Sequence, residues 1–184
     1  IIVLLLNEDE NMISSNKRLQ LTLFLDESDS FEIEKFRKKF NQVQFELIKA
    51  HITLCREDEI ESLKKIKANL RYLKLKPFIL NLGRPVHFTE GKGLLIPIIG
   101  NASKFHKLRL KILKGVIKQP RVHEPHITII HPRNATCTDE IYDLLQKYQF
   151  PSKVSFDSIS LIEQIQDEKW SVLEEFKLVK STAK

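Results

Sequence analysis

Cysteine is scarce: Cys55 and Cys137 are the only two among 184 residues. Two thiols do not make the disulfide framework of a small secreted domain, so the chain reads as a protein of a reducing compartment, the cytoplasm. Long apolar runs are missing as well. Ile1 to Leu6 falls far short of the roughly 20 residues that cross a bilayer, which excludes a membrane partner of that kind. The run also lacks the basic n-region and small-residue cleavage site of a signal peptide, so residues 1–17 read as an N-terminal arm or extra strand. No Met precedes Ile1, as in a chain trimmed at its start. Acidic residues are outnumbered, 24 against 30 Lys and Arg, and the resulting charge of +6 with a pI near 9.2 favours an anionic partner, a nucleotide or RNA. With 42% hydrophobic and 29% charged residues the composition excludes a disordered or fibrous chain, and the length suits one domain, expected as a monomer.

What is present is an order that occurs twice. Leu19 to Leu25 alternates and then turns continuously apolar, as a half-buried strand does. Asp29 with Glu32 resembles a capping box, and Ile33, Phe36 and Phe40 carry the helical spacing behind it. Gln44 to Leu54 is predicted as a second strand. Ile60, Leu63, Ile66 and Leu70 mark a second helix, which Pro77 separates from the strand Phe78 to Leu82. The second pass has Leu94 to Ile99 as strand, Phe105, Leu108, Ile112 and Val116 as helix, and His126 to Ile130 as strand. Ile141, Leu144, Leu145 and Tyr148 then predict a helix, and Val154 to Ile162 with Trp170 to Leu178 a closing strand pair. The pattern predicts an α+β fold of two duplicated strand-helix-strand-helix-strand units, lobe one about 18–90 and lobe two about 92–178. A central cleft would lie between antiparallel sheets, with the helices outside.

The second strand of each pass carries nearly the same letters: His51-Ile52-Thr53-Leu54 and His126-Ile127-Thr128-Ile129. Side chains two apart on a strand share a face, so each copy presents an imidazole beside a hydroxyl over an apolar backing. Two such pairs facing one phosphorus supply the parts of phosphodiester hydrolysis. One imidazole takes a proton, the other gives one, and the hydroxyls donate to the non-bridging oxygens. No cofactor or metal is required. His123, His126 and His131 match no usual zinc-ligand spacing, and the strand that would hold them is interrupted by Pro125. A third copy, His87-Phe88-Thr89, has no place in the repeat and reads as hairpin surface at the cleft rim.

The two flanked motifs, the segment Phe78-Ile79-Leu80-Asn81-Leu82-Gly83 leading to Gly93-Leu94-Leu95-Ile96-Pro97-Ile98, and the closing Ser160-Leu161-Ile162 with Trp170 resemble the 2H phosphoesterase superfamily, the 2′-5′ RNA ligase-like and cyclic phosphodiesterase proteins with the LigT-like fold. The resemblance covers about residues 18 to 178. It implies metal-independent chemistry on nucleotide or RNA phosphodiesters: opening a 2′,3′-cyclic phosphate, or cleaving and joining 2′-5′ linkages. It makes His51 and His126 the acid–base pair and Thr53 and Thr128 the phosphate-holding hydroxyls. Ile130-His131-Pro132-Arg133 departs from the short Ala/Gly-Arg ending that many members carry.

Arg56 and Arg133 follow the motifs and are expected to contact substrate, while Phe88 and Tyr72 are candidates for stacking a base. Regular alternation puts His131 on the face opposite Thr128, and puts Cys55 on the same face as His51 and Thr53. The rival reading is a non-catalytic RNA- or nucleotide-binding module that uses the same basic cleft.

Overall fold

Leu21 and Leu23 point to one side of their strand and are completely buried, and the same holds for Leu94 and Ile96 in the second pass. Each thereby anchors one half of a sheet. A computed structural model describes residues 17–74, 76–88 and 91–178, so the apolar run at Ile1 and Thr89 of the third His-x-Thr lie outside the described residues. Its strands are β1 (Lys17–Phe24), β2 (His51–Cys55), β3 (Phe78–Leu82), β4 (Val86–His87), β5 (Leu94–Ile99), β6 (His126–Ile130), β7 (Lys153–Phe156), β8 (Ser158–Ile165) and β9 (Ser171–Lys177). Helices α1 (Glu27–Phe40), α2 (Gln42–Leu47), α3 (Leu63–Arg71), α4 (Ser103–Ile112) and α5 (Asp139–Asp143) connect them.

The strands form a curled antiparallel sheet in the order β7-β3-β5-β6-β2-β1-β8-β9, with β4 beside β5. The two strands that carry the repeated motif meet in the middle, where Ile52 pairs with Ile127. A later strand of each pass crosses over: β3 pairs with β5 of the second pass, and β8 pairs with β1 of the first. Each half of the sheet is therefore built from both passes. The expected α+β architecture of duplicated units is the one observed.

The repeat extends to its irregularities. Leu21 pairs with Cys55 and Thr22 with Thr53, leaving Leu54 as an extra residue in β2; Leu94 pairs with Ile130 and Leu95 with Thr128, leaving Ile129 as an extra residue in β6. A bulge leaves its residue without a ladder partner. Side chains from the opposite pass fill the gap: Arg109 on α4 donates to the Leu54 carbonyl, and Asn41 at the end of α1 donates to the Ile129 carbonyl at 3.3 Å. Both donors are buried, so each bulge is held from across the seam.

Two local expectations are corrected. The α1 cap is Asp26, whose carboxylate accepts from Asp29 N–H at 2.7 Å, while Asp29 reaches over to accept from Ser155 N–H at 3.0 Å. Residues Gln42–Leu47 are helical rather than the start of a strand. The alternation of Val43, Phe45 and Leu47 suits a strand, but the buried Arg37 guanidinium gathers the carbonyls of Gln44, at 3.0 Å, and Ile48, at 2.7 Å, which holds this stretch against α1. Tertiary contact overrides the local pattern.

Candidate active site

Antiparallel pairing of Ile52 with Ile127 places His51 opposite Thr128 and Thr53 opposite His126 on one face of the sheet. All four side chains line a single cleft of about 430 Å³. Arg56, Arg133 and Phe88 line it too, as the sequence suggested. Tyr72 does not: it ends α3, is 85% exposed and stands away from the cleft.

The two imidazoles are held in matching ways. His51 Nδ1–H donates to the carbonyl of Lys49 at 2.7 Å, and His126 Nδ1–H donates to the carbonyl of Glu124 at 3.0 Å, in each case two residues back. Such a bond fixes the ring's orientation and leaves Nε2 as the nitrogen free for proton transfer. An aromatic ring stands edge-on to each: Phe24 at 6.1 Å from His51, and Phe88 at 5.7 Å from His126.

The halves differ beside the hydroxyls. Gln20 Nε2 donates to Thr53 Oγ1 at 3.1 Å and to Thr22 Oγ1 at 3.0 Å. With its oxygen already accepting, the Thr53 hydroxyl is free to donate its own proton into the cleft. The equivalent position beside Thr128 is Gly93, where a Cβ would come within 2.8 Å of the Ile130 carbonyl and of Pro132 Cδ. No side chain fits there, and among the described residues the amide support is on the Thr53 side alone.

Burial pushes the His51 imidazole down to about 4, against the pull of its bond to Lys49, and the nearby Arg37, His126 and His131 lower it further. His123 is likewise pushed to about 4, first by burial and then by Arg109 and His126. Burial also lowers His131, with help from Arg133 and Arg18. His51 is therefore neutral near pH 7, with a lone pair available.

Two placements correct the alternation rule. His131 lines the cleft, because β6 ends at Ile130 and the chain turns there. Cys55 is fully buried behind the sheet, because the bulge at Leu54 turns it inward alongside Leu54. Burial raises its thiol to about 12, which removes any nucleophilic role. Gln20, Arg18, Gln164, Trp170 and His123 also line the cleft. Gln20 had a signal in the sequence, since it is a polar position of the alternating strand Leu19 to Leu25. Arg18 lies over the Trp170 ring at 5.2 Å and donates to Gln164, a contact between residues far apart in the chain that no local pattern announces. Among the described residues no group of three or more His, Cys, Asp or Glu is arranged to hold a metal ion.

These shifts set a pH dependence of stability. Histidines with folded values near 4 and an ordinary unfolded value near 6.5 leave the unfolded chain binding more protons between those limits, so stability is lost as pH falls through that window. At Glu59 burial pushes the carboxyl up, but hydrogen bonds from Arg109 and Arg56 outweigh it and hold the group below its usual value, which extends the loss to lower pH. Thermal unfolding followed from pH 8 down to 4 should show Tm falling steadily below about pH 6.5. A flat profile would contradict the neutral, buried state of these rings.

Comparison with known proteins agrees with this architecture. The family model of the 2′-5′ RNA ligase superfamily matches residues 24–168. A Bacillus cytotoxicus protein with a provisional phosphoesterase name is 25% identical over 171 residues, covering 90% of this chain and 99% of that protein. The crystal structure of Escherichia coli LigT complexed with 3′-AMP superposes with a TM-score of 0.65 at 15% identity, over 90% of this chain and 100% of LigT. TT0787 of Thermus thermophilus superposes with a TM-score of 0.59 at 18% identity, over 88% and 97%.

Proposed function

The chain belongs to the 2′-5′ RNA ligase superfamily and has the fold of the 2H phosphoesterases, and from that premise we propose that it is a metal-independent phosphodiesterase of nucleotide or RNA substrates. It opens 2′,3′-cyclic phosphates, or cleaves and joins 2′-5′ linkages, by two-histidine acid–base catalysis. The observation that carries this reading is the matched pair of imidazoles in one cleft, each fixed by an Nδ1–H bond to the carbonyl two residues back.

In the hydrolytic direction His51, neutral at pH 7, takes a proton from water at Nε2 as the water oxygen bonds to phosphorus. His126, the acid of the pair, gives a proton from Nε2 to the departing 2′- or 3′-oxygen as the P–O bond breaks. Thr53 and Thr128 donate to the non-bridging oxygens, where charge grows. The Gln20 amide directs the Thr53 hydroxyl outward for this task. With a ribose 5′-hydroxyl in the place of water, the same groups form the 2′-5′ linkage from a 2′,3′-cyclic phosphate: the base takes the hydroxyl proton as its oxygen bonds to phosphorus, and the acid protonates the 3′-oxygen as its P–O bond breaks.

The ligand class is supported by the fold match to LigT, which has been crystallised with 3′-AMP, ATP, NADP+ and phosphate. Arg18, Arg56 and Arg133 on the cleft walls suit such anions. Cys55 and Cys137 as free thiols are consistent with a cytoplasmic setting, and the protein is proposed to act as a monomer. Among the described residues no helix is long and apolar enough to cross a membrane.

The experiment is turnover of a panel of 2′,3′-cyclic nucleotides and 2′-5′ oligoadenylates with EDTA present. Hydrolysis that persists in EDTA supports the reading. RNA binding with no turnover of any member of the panel would favour a binding module built on the same cleft.

A further inference from the structure

The charge of this chain is segregated. Residues 62–76 and 102–121 contain thirteen Lys and Arg and no Asp or Glu, whereas the remainder has seventeen Lys and Arg against all 24 acids. The net +6 is thus the difference between a strongly basic part and a net acidic one.

These two stretches meet in the fold. They are α3 and α4 with the segments that follow them, joined where Asn69 on α3 donates to the carbonyls of Ile112, at 2.8 Å, and Lys114, at 3.0 Å. Residues at i, i+3 and i+4 share a helix face, so Lys104, Lys107 and Lys111 form one exposed row on α4, while Lys64, the half-buried Lys67 and Arg71 form a second row on α3. Lys67 and Arg71 share Glu174. Among the described residues no ion pair involves Lys64, Lys65, Lys104, Lys107, Lys111 or Lys114. Like charges at this spacing destabilise a helix, and nothing in the packing requires them, since the buried faces are supplied by Ile66, Leu70, Phe105, Leu108 and Ile112. A polyanion relieves that repulsion.

The basic segment leads toward the cleft. It ends at Arg121, which pairs with Asp58 and Glu59, and His123, two residues on, lines the cleft beside His126. We propose that the α3–α4 face is a docking surface for the phosphate backbone of single-stranded RNA whose end is processed in the cleft. The proposal rests on the reading of that cleft as a phosphodiester site. It gives the lysines a task the chemistry does not: they hold the chain outside the cleft, while the histidines act on its terminus.

The test is binding of a fluorescein-labelled single-stranded RNA across a salt series, by the wild type and by the triple variant Lys104→Gln, Lys107→Gln, Lys111→Gln. Neutralising three phosphate contacts should weaken RNA binding by about tenfold or more and reduce the log–log salt slope by about 2. Turnover of a 2′,3′-cyclic mononucleotide should be unchanged, because these lysines lie outside the cleft, and Tm at low salt should hold or rise. Unchanged RNA affinity and slope would overturn the proposal, as would wild-type binding to phosphatidylserine vesicles in preference to RNA. The two readings fail separately. Inert cyclic nucleotides with lysine-dependent RNA binding would sink the enzymatic reading and leave only the docking surface, and turnover with lysine-independent RNA binding would sink the docking surface and leave the enzyme.

Discussion

Replacing His51 or His126 with alanine is expected to lower kcat on a 2′,3′-cyclic nucleotide by roughly 10²–10⁴-fold, the range for loss of a general acid or base. The two substitutions should not multiply, because acid and base act in one displacement and the second loss finds little left to remove. Folding should survive, since both rings line the cleft and neither belongs to the buried apolar cluster. The pH profile separates a chemical role from a positional one. With the His51 imidazole pushed to about 4 by burial, wild-type kcat/KM should hold down to about pH 5 and fall only as pH approaches 4. An acid limb centred near the ordinary histidine value of about 6.5 would assign the base to another group.

The largest effect on stability is expected at Arg109. Its guanidinium meets the Glu59 carboxylate at 2.6 and 3.1 Å, and both side chains are almost wholly buried, at 3% and 4% exposure. The same guanidinium donates to the carbonyl of the bulge residue Leu54 and to that of Arg121 at 3.3 Å. Arg109→Met leaves a carboxylate and a strand carbonyl buried without this donor, a change that costs about 3–5 kcal/mol. In a domain of this size that corresponds to a drop in Tm of roughly 10 °C. The double variant Arg109→Met, Glu59→Gln removes both charges and should recover part of the loss, because in the single variant the buried Glu59 carboxylate keeps only the half-exposed Arg121, at 3.4 Å, as an ionic partner. Equal destabilisation by the single and double variants would mean that the bond to Leu54, rather than the ion pair, carries the effect. Arg37 on α1 is likewise buried, but its bonds go to the carbonyls of Gln44 and Ile48 in its own pass, and the bulge at Ile129 is held across the seam by Asn41 instead.

Much of this was legible from residues alone, for a physical reason. Duplication writes the same signal twice, and two matched His-x-Thr strands imply a shared face even though each alone is weak. Fold class and the four central side chains followed from that pattern, Arg56 and Arg133 from their places just after the two motifs, and Phe88 from its aromatic ring in the third, unmatched copy. The failures come from places where strict alternation breaks. The bulges at Leu54 and Ile129 are invisible in composition, yet one of them turns Cys55 into the core. The end of β6 likewise returns His131 to the cleft. The helical turn at Gln42–Leu47 depends on Arg37, which reaches it from the neighbouring helix. The exchange of β3 and β8 between halves concerns strand pairing over long sequence separations, which periodicity does not encode.

The proposed mechanism needs both copies of the motif to serve one phosphate. A crystal structure of the protein with a product nucleotide monophosphate bound would show this: a single phosphate in the cleft is expected within hydrogen-bond reach of Nε2 of His51 and His126 and of the hydroxyls of Thr53 and Thr128. A phosphate held by one copy alone, or seated away from both, would contradict it.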